Sequence, residues 1–232
     1  VRHHAFYLRA SRGLRDPEEK REAITRTFYK DVFGDLFRSS GARFLLQGTI
    51  LTDVEETVAG VKRQHNVLAQ LGVDPQEAFG YGVIEPLLQL RKDGVRKLAR
   101  ALGMPAAAYR RMPFPGPALA ARVVGEVTPE SISLVRQATA IMEEELERVK
   151  KFQCMAILHE DRFPGMRNRK RDYGRQIEIR CWESVDARTA RPVWLAPRIL
   201  ERLASRITGE VPGVVSVTYN IASKPPSTME AV

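Results

Sequence analysis

Cysteine is nearly missing from this chain. Two residues in 232, Cys154 and Cys181, are all there is, and they form no CxxC pair and have too few histidine or cysteine neighbours for a zinc site. A disulfide-stapled or metal-organised small fold is thereby excluded. Both thiols sit in apolar stretches and are expected to be buried and free, in a reducing, cytoplasmic protein. Long hydrophobic runs are missing too: none approaches the ~20 residues of a membrane-spanning helix. The opening residues Val1 to Arg12 are basic and broken by His3 and His4, without a signal-peptide pattern. Aromatics make up 7% of the chain and mostly lie inside apolar segments, whereas nucleic-acid modules interleave exposed aromatics with charge. Acidic residues are outnumbered, 28 against 37 lysines and arginines, for a net charge of +9. That balance suits a polyanionic partner. Charge alone leaves nucleotides and polynucleotides both open, and the sparse aromatics make nucleic acid the less favoured. No internal repeat or low-complexity tract is visible.

What is present reads as two successive patterns. Asp16-Pro17-Glu18-Glu19 has the form of a helix start: an Asp cap, Pro at the first position and acids in the first turn. Apolar residues from Ala23 to Phe37 then recur at helical spacing, and Gly41 ends the unit. Phe44-Leu45-Leu46 and Val83 to Leu87 read as short buried parallel strands, each followed by a loop. Asp53 to Val61 and Lys92 to Leu102 read as helices, and the polar stretch Lys62 to Gly80, with Gly72 and Asp74-Pro75, as a loop. Strands alternating with helices predict an α/β parallel sheet over residues 1–112.

Pro113-Phe114-Pro115-Gly116-Pro117 has three prolines in five residues and cannot be helix interior or central strand, so it marks a domain boundary. Beyond it, over 113–232, the pattern predicts a small α+β domain. Its strands are expected at Arg122–Val127, Gln153–His159, Gln176–Trp182 and Val214–Tyr219. One helix is expected from the Thr128 cap to about Lys151, and a second over Trp194–Gly209.

Four segments, in this order, resemble the GMP synthetase family. Gln47-Gly48-Thr49 with Asp53 and Glu56 is similar to Q-G-T-x-x-x-D-x-x-E. Glu85-Pro86-Leu87 with Lys92-Asp93 and Val95-Arg96 is similar to E-P-L-x-x-x-x-K-D-x-V-R. Pro113 to Pro117, Leu119, Arg122-Val123 and Gly125-Glu126-Val127 resemble P-F-P-G-P-x-L-x-x-R-V-x-G-E-V. The segment from Glu210 to Thr228, with Tyr219 and Lys224-Pro225-Pro226, resembles the family's closing motif. The third and fourth are specific.

The resemblance implies an adenine nucleotide alpha hydrolase-like ATP-pyrophosphatase domain followed by a dimerisation domain that holds XMP, in a homodimer. It implies a ligase that adenylates XMP with ATP and Mg2+, then lets ammonia displace AMP to give GMP. Gln47, Gly48, Thr49 and Lys92 would meet the pyrophosphate, and Asp53 with Glu56 the magnesium region. Asp53 as a helix cap and Glu56 as a surface acid stay an equal reading. Lys62, His65 and Asn66 resemble a lid segment, with Gln64 where the family has its first histidine. Arg122, Gln153, Lys224, Thr228 and Glu230 would approach XMP or a related purine nucleotide.

Three departures temper this. The family's S-G-G-x-D-S phosphate loop and its glutamine-hydrolysing domain are not in these residues, so the first domain is expected to be incomplete at its N-terminus. Ammonia would then come from solution or from a glutamine amidotransferase, as a domain or a separate subunit. The segment Asp161 to Arg175 replaces a glycine-rich motif with the densest basic run in the chain, either an anion-binding hairpin loop or a solvated connection. Asn220 follows Tyr219 where the family has aspartate, and the terminal tryptophan is missing. Adenylation of a different acidic substrate, or a nucleotide- or RNA-binding relative without activity, are the competing readings.

Overall fold

A computed structural model describes residues 4–58, 74–109, 118–167, 169–184 and 189–228. The proline hinge 113–117, the lid residues Lys62, His65 and Asn66, and Glu230 lie outside the described residues. The chain divides into two compact units. One holds Val1–Tyr7 and Glu22–Met112, the other Leu8–Arg21 and Pro113–Val232. Among the described residues no helix is long and apolar enough to cross a membrane.

The chain begins with helices α1 (His4–Ala10) and α2 (Pro17–Arg26). Helix α2 starts at the predicted cap: the Glu19 N–H donates to Asp16 Oδ1 at 3.0 Å, satisfying an amide that a helix start leaves open. The helical path continues as a π-helical turn, Thr27–Phe33, and then α3 (Gly34–Ser40). Gly41 stops it in the left-handed region at φ 68°, and its N–H donates to the Phe37 carbonyl.

Strands β1 (Phe44–Leu46) and β2 (Gly82–Ile84) pair in parallel, Leu45 opposite Val83. They were expected to be buried, yet Phe44, Leu46 and Ile84 are 56, 72 and 47% exposed. A parallel sheet is buried by elements lying on both its faces, and among the described residues these two strands have no third neighbour. Burial in this unit centres instead on Tyr81, which stacks on Phe37 with ring centroids 4.1 Å apart. The Tyr81 hydroxyl donates to the Tyr29 carbonyl at 2.9 Å.

Helix α4 (Leu51–Val58) begins two residues before its expected start. Within the predicted loop, α5 (Pro75–Phe79) is a helix: Asp74 Oδ1 accepts the Gln76 and Glu77 amides, and Pro75 takes the first turn. This is the same Asp-Pro start as at Asp16. Helices α6 (Lys92–Ala101) and α7 (Ala106–Tyr109) complete the described part of this unit.

In the second unit Ala118–Arg122 forms a 3-10 turn. The strand predicted over Arg122–Val127 reduces to one parallel bridge, Val123 to Leu158. The chain turns away at Gly125, whose φ of 95° excludes most side chains and whose Cβ would stand 2.6 Å from Glu160. Helix α8 (Pro129–Glu145) has a reciprocal capping box: the Ser131 N–H donates to Thr128 Oγ1 at 3.0 Å, and the Thr128 N–H to Ser131 Oγ at 2.7 Å.

The sheet comprises β3 (Gln153–Leu158), β4 (Phe163–Arg167), β5 (Lys170–Glu183), β6 (Arg191–Pro192) and β7 (Val214–Tyr219), with α9 (Pro197–Glu210) between the last two. Strand β5 is the common partner: β3, β4 and β6 pair with it antiparallel, and β7 parallel. It starts six residues before the predicted Gln176, because the basic segment forms a β4–β5 hairpin rather than an open loop. Glycine lets that hairpin approach β7: a Cβ on Gly165 or Gly174 would come within 2.7 Å of Val215. Helix α8 packs along β3, α9 along β7, and the two helices pack on each other. Ile177, Ile179 and Cys181 are buried, and Gln176, Glu178 and Arg180, which alternate with them, are only partly buried, so β5 alternates between a core face and a polar face.

Residues 8–21 are a strap on this unit. The Lys20 ammonium, 2% exposed, donates to the Val123 carbonyl at 2.9 Å. The Gly13 amide donates to Glu126 Oε1 at 2.9 Å, and Arg15 pairs with Glu160 at 3.1 Å. Burial lowers the Lys20 pKa, opposed by the nearby Glu160 and Asp16.

Candidate functional site

In the first unit the predicted phosphate and metal residues follow β1 and β2 in the chain: Gln47, Gly48 and Thr49 directly after β1, Asp53 in the first turn of α4, and Lys92 at the start of α6 after β2. Gln47 directly follows β1, with its N–H donating to the Ile84 carbonyl at 2.9 Å. Its side chain is buried in a network: it accepts from the Tyr29 hydroxyl at 2.8 Å, and donates to Thr49 Oγ1 at 3.1 Å and to Glu85 Oε1 at 3.3 Å. Thr49 is fully buried and donates to the same Glu85 oxygen. Burial, with Tyr81 and Glu85 close by, holds the Tyr29 phenol protonated well above its usual range. Gln47 and Thr49 therefore lock two loops together, and Gly48 between them is exposed, with open space where a Cβ would stand. A cavity of about 230 Å3 lies alongside, lined by Gln47, Glu85, Gly82, Val83 and Asp74–Gln76.

Asp53 sits in the first turn of α4 and accepts the Ile50 amide on Oδ2 at 3.0 Å, the return half of a capping box. Glu56 lies one turn on in the same helix. The adjacent Glu55 is the residue that reaches across, pairing with Arg91 at 2.5 Å, while the Leu51 N–H donates to the Leu90 carbonyl at 3.0 Å. These two links tie α4 to the start of α6. Lys92 is the first residue of α6, exposed, and among the described residues its ammonium has no hydrogen bond or ion pair. A cation at a helix N-terminus opposes the helix dipole, so its position serves no local stability. Among the described residues no three acidic, histidine or cysteine side chains converge as a metal cage. Magnesium in nucleotide enzymes takes one or two carboxylates and completes its shell with phosphates and water, and Asp53 fits that thinner requirement.

The predicted nucleotide residues Arg122, Gln153, Lys224 and Thr228 all belong to the second unit. Gln153 opens β3 opposite Trp182, both buried. Trp182 clusters with Ala190, and Ala190 exchanges both backbone hydrogen bonds with Lys224, at 3.0 and 2.8 Å. Gln153 and Lys224 thus come to one end of the sheet through two intervening residues. Arg122 is 4% exposed and donates to Thr139 Oγ1 at 3.2 Å, with Cys154, the neighbour of Gln153, within its electrostatic reach. Burial lowers its pKa, opposed by Glu143. It is an interior guanidinium rather than one displayed to solvent.

Thr228 is held by a network the sequence did not reveal. Arg180 donates from Nη1 to the Thr228 carbonyl at 2.9 Å and from Nε to Glu178 Oε1 at 2.7 Å. Glu178 also accepts from Asn220 at 3.1 Å, and its other oxygen lies 2.8 Å from His159 Nε2. Burial works to raise the Glu178 pKa, but the bonds from His159, Arg180 and Asn220 outweigh it and push it down to about 2. The period-2 row Gln176, Glu178, Arg180 is the signal that could have exposed this polar face. The links that Glu85 makes to Gln47 and Thr49, and Glu55 to Arg91, were likewise hidden, because the partners lie 36 to 38 positions apart.

Comparison with known proteins gives the chain its family. Residues 139–231 match the family described as GMP synthase C terminal domain. The chain is 45% identical over 226 residues to one subunit of the glutamine-hydrolyzing GMP synthase of Pyrococcus furiosus, covering 97% of this chain and 70% of that protein. The same subunit from Thermococcus kodakarensis is 44% identical over 226 residues, covering 97% and 72%, and that from Methanopyrus kandleri 43% over 231 residues, covering 97% and 72%. Similarity of this depth over 97% of its length means that the chain belongs to the GMP synthase family.

Proposed function

We propose that this chain supplies the phosphate-end loops and the nucleotide-holding domain of an ATP-dependent ligase that converts XMP to GMP. The observation that carries the reading is the 43–46% identity to archaeal GMP synthase subunits over 97% of the chain. The geometry supports it in the first unit, where the Gln47–Thr49 loop, Asp53 and Lys92 follow two parallel strands in the chain, as in an ATP-pyrophosphatase domain. ATP adenylates the C2 oxygen of XMP and releases pyrophosphate, and ammonia then displaces AMP.

Lys92 meets the developing pyrophosphate charge, free of any competing ion pair among the described residues. Gly48 lets the loop backbone approach the phosphates. Asp53, with Glu56 in the next turn, would hold Mg2+, which would neutralise phosphate charge there. Lys62, His65 and Asn66 serve as a lid over the substrates. Gln153, Lys224, Thr228 and Glu230 face XMP, and Arg122 supports that pocket from the interior. The relatives are named as one subunit of a glutamine-hydrolyzing enzyme, which supports an ammonia supply from a separate glutamine amidotransferase. The unit 113–232 is the homodimer interface.

The test is direct. The full-length protein, given ATP, Mg2+, XMP and ammonium, should release pyrophosphate and form GMP in equal amounts. No GMP from XMP under those conditions, with the protein folded, overturns the reading.

A further inference from the structure

We infer that Arg180, held in place by its hydrogen bond to Glu178, is a positioning residue for the Lys224–Thr228 segment, and through it sets the affinity for the nucleotide that segment meets. The inference rests on the reading of that segment as part of the XMP site. The segment is fastened to the sheet at two points. At one end the Lys224 backbone makes a reciprocal pair of hydrogen bonds with Ala190. At the other the Thr228 carbonyl accepts from Arg180 at 2.9 Å. Between them the Ser227 amide donates to the Ser223 carbonyl at 3.0 Å, closing a turn.

Arg180 suits this task. Its side chain is 13% exposed, and its guanidinium spans two acceptors with two different nitrogens. A planar fork fixes the direction of both bonds together. Glu178, also 13% exposed, determines where that fork points. It is itself braced by Asn220 on the same oxygen and by His159 on the other. Asn220 lies at the end of β7, and its Oδ1 accepts the Ala222 amide at 2.8 Å, so the brace also governs how the chain leaves the sheet towards Lys224. Charge-assisted bonds of this kind hold geometry more firmly than neutral ones. Strand β5 thus carries a rigid polar row whose far end is the tail carbonyl.

The experiment compares the full-length enzyme with its Arg180→Ala and Arg180→Lys variants, by steady-state kinetics with XMP and ATP varied separately and by hydrogen exchange. Arg180→Ala should raise the KM for XMP about 10-fold and leave the KM for ATP unchanged, with kcat falling less than about 3-fold. The Ser227 amide should exchange faster while the β3 and β5 amides stay protected. Arg180→Lys keeps the charge but not the fork and should fall between. If β5 also loosens in Arg180→Ala, the Arg180→Lys variant decides. Unchanged Ser227 exchange in a folded variant overturns the inference, as does a looser tail with an unchanged KM for XMP. A parent enzyme that makes no GMP from XMP overturns the functional reading itself, and the XMP half of this inference with it; the exchange readout still decides whether Arg180 holds the tail.

Discussion

Thr49 and Glu85 stand at the ends of two parallel strands 36 positions apart in sequence, and the threonine hydroxyl donates to the glutamate carboxylate. Gln47 donates to both. The loops that the family resemblance assigns to phosphate binding are therefore set by a buried polar lock. Replacing Thr49→Val keeps the shape and deletes the hydroxyl, leaving Gln47 and Glu85 with a missing partner. Such a loss costs about 1–3 kcal/mol, and urea denaturation should show it, with Thr49→Ser near the parent.

Lys92 separates chemistry from stability. Its place at a helix N-terminus means that Lys92→Ala removes an unfavourable charge, so the melting temperature should stay the same or rise slightly. Loss of a preorganised charge beside the transition state typically lowers kcat about 100- to 1000-fold. Pyrophosphate release from ATP, with XMP present, measures it. A variant equally active would remove Lys92 from the phosphate site.

Glu178 gives the protein an acid-sensitive contribution. Its folded pKa, about 2, lies below the ordinary 4.5. A depressed carboxylate stabilises the fold above the unfolded value and loses that contribution as pH falls from about 4.5 through 2. The full contribution is on the order of 3 kcal/mol. Glu178→Gln should thus be less stable than the parent at pH 7, and the two should converge near pH 2, as followed by chemical denaturation across that range.

The two cysteines should be silent in the native state. Cys154 and Cys181 face each other across β3 and β5, both 1% exposed. Burial raises their thiol pKa values to about 11 and 12. The thiolate is the reactive form, so a disulfide-exchange reagent at pH 8 should label neither until denaturant is added. Fast native labelling would contradict the packing of α8 on this sheet.

Local signals were legible and distant partners were not. The caps at Asp16 and Thr128 lie where their side chains dictated. Asp74-Pro75 carries the same cap signal but falls within the stretch read as a loop, because the helix it starts is only five residues long, too short for a period to show. Strand β5 was read at half its length because Lys170 to Arg175 lacks apolar alternation. Its pairing comes from β4 and from glycines that let Val215 approach, which no pattern within the strand encodes. The site motifs were found by their linear order. Arg180 and Thr228, 48 positions apart, meet only after the sheet has formed.

The strap of residues 8–21 bears on how this molecule can be dissected. The proline-rich hinge looks like a natural place to cut, yet a C-terminal fragment starting there would leave behind Gly13, Arg15 and Lys20. Glu126 and Glu160 would lose their donors, and the Val123 carbonyl would lose the ammonium that now covers it. An isolated C-terminal half is thus a wounded object rather than a module. A permuted chain that rejoins the strap to that half is the smaller protein worth making.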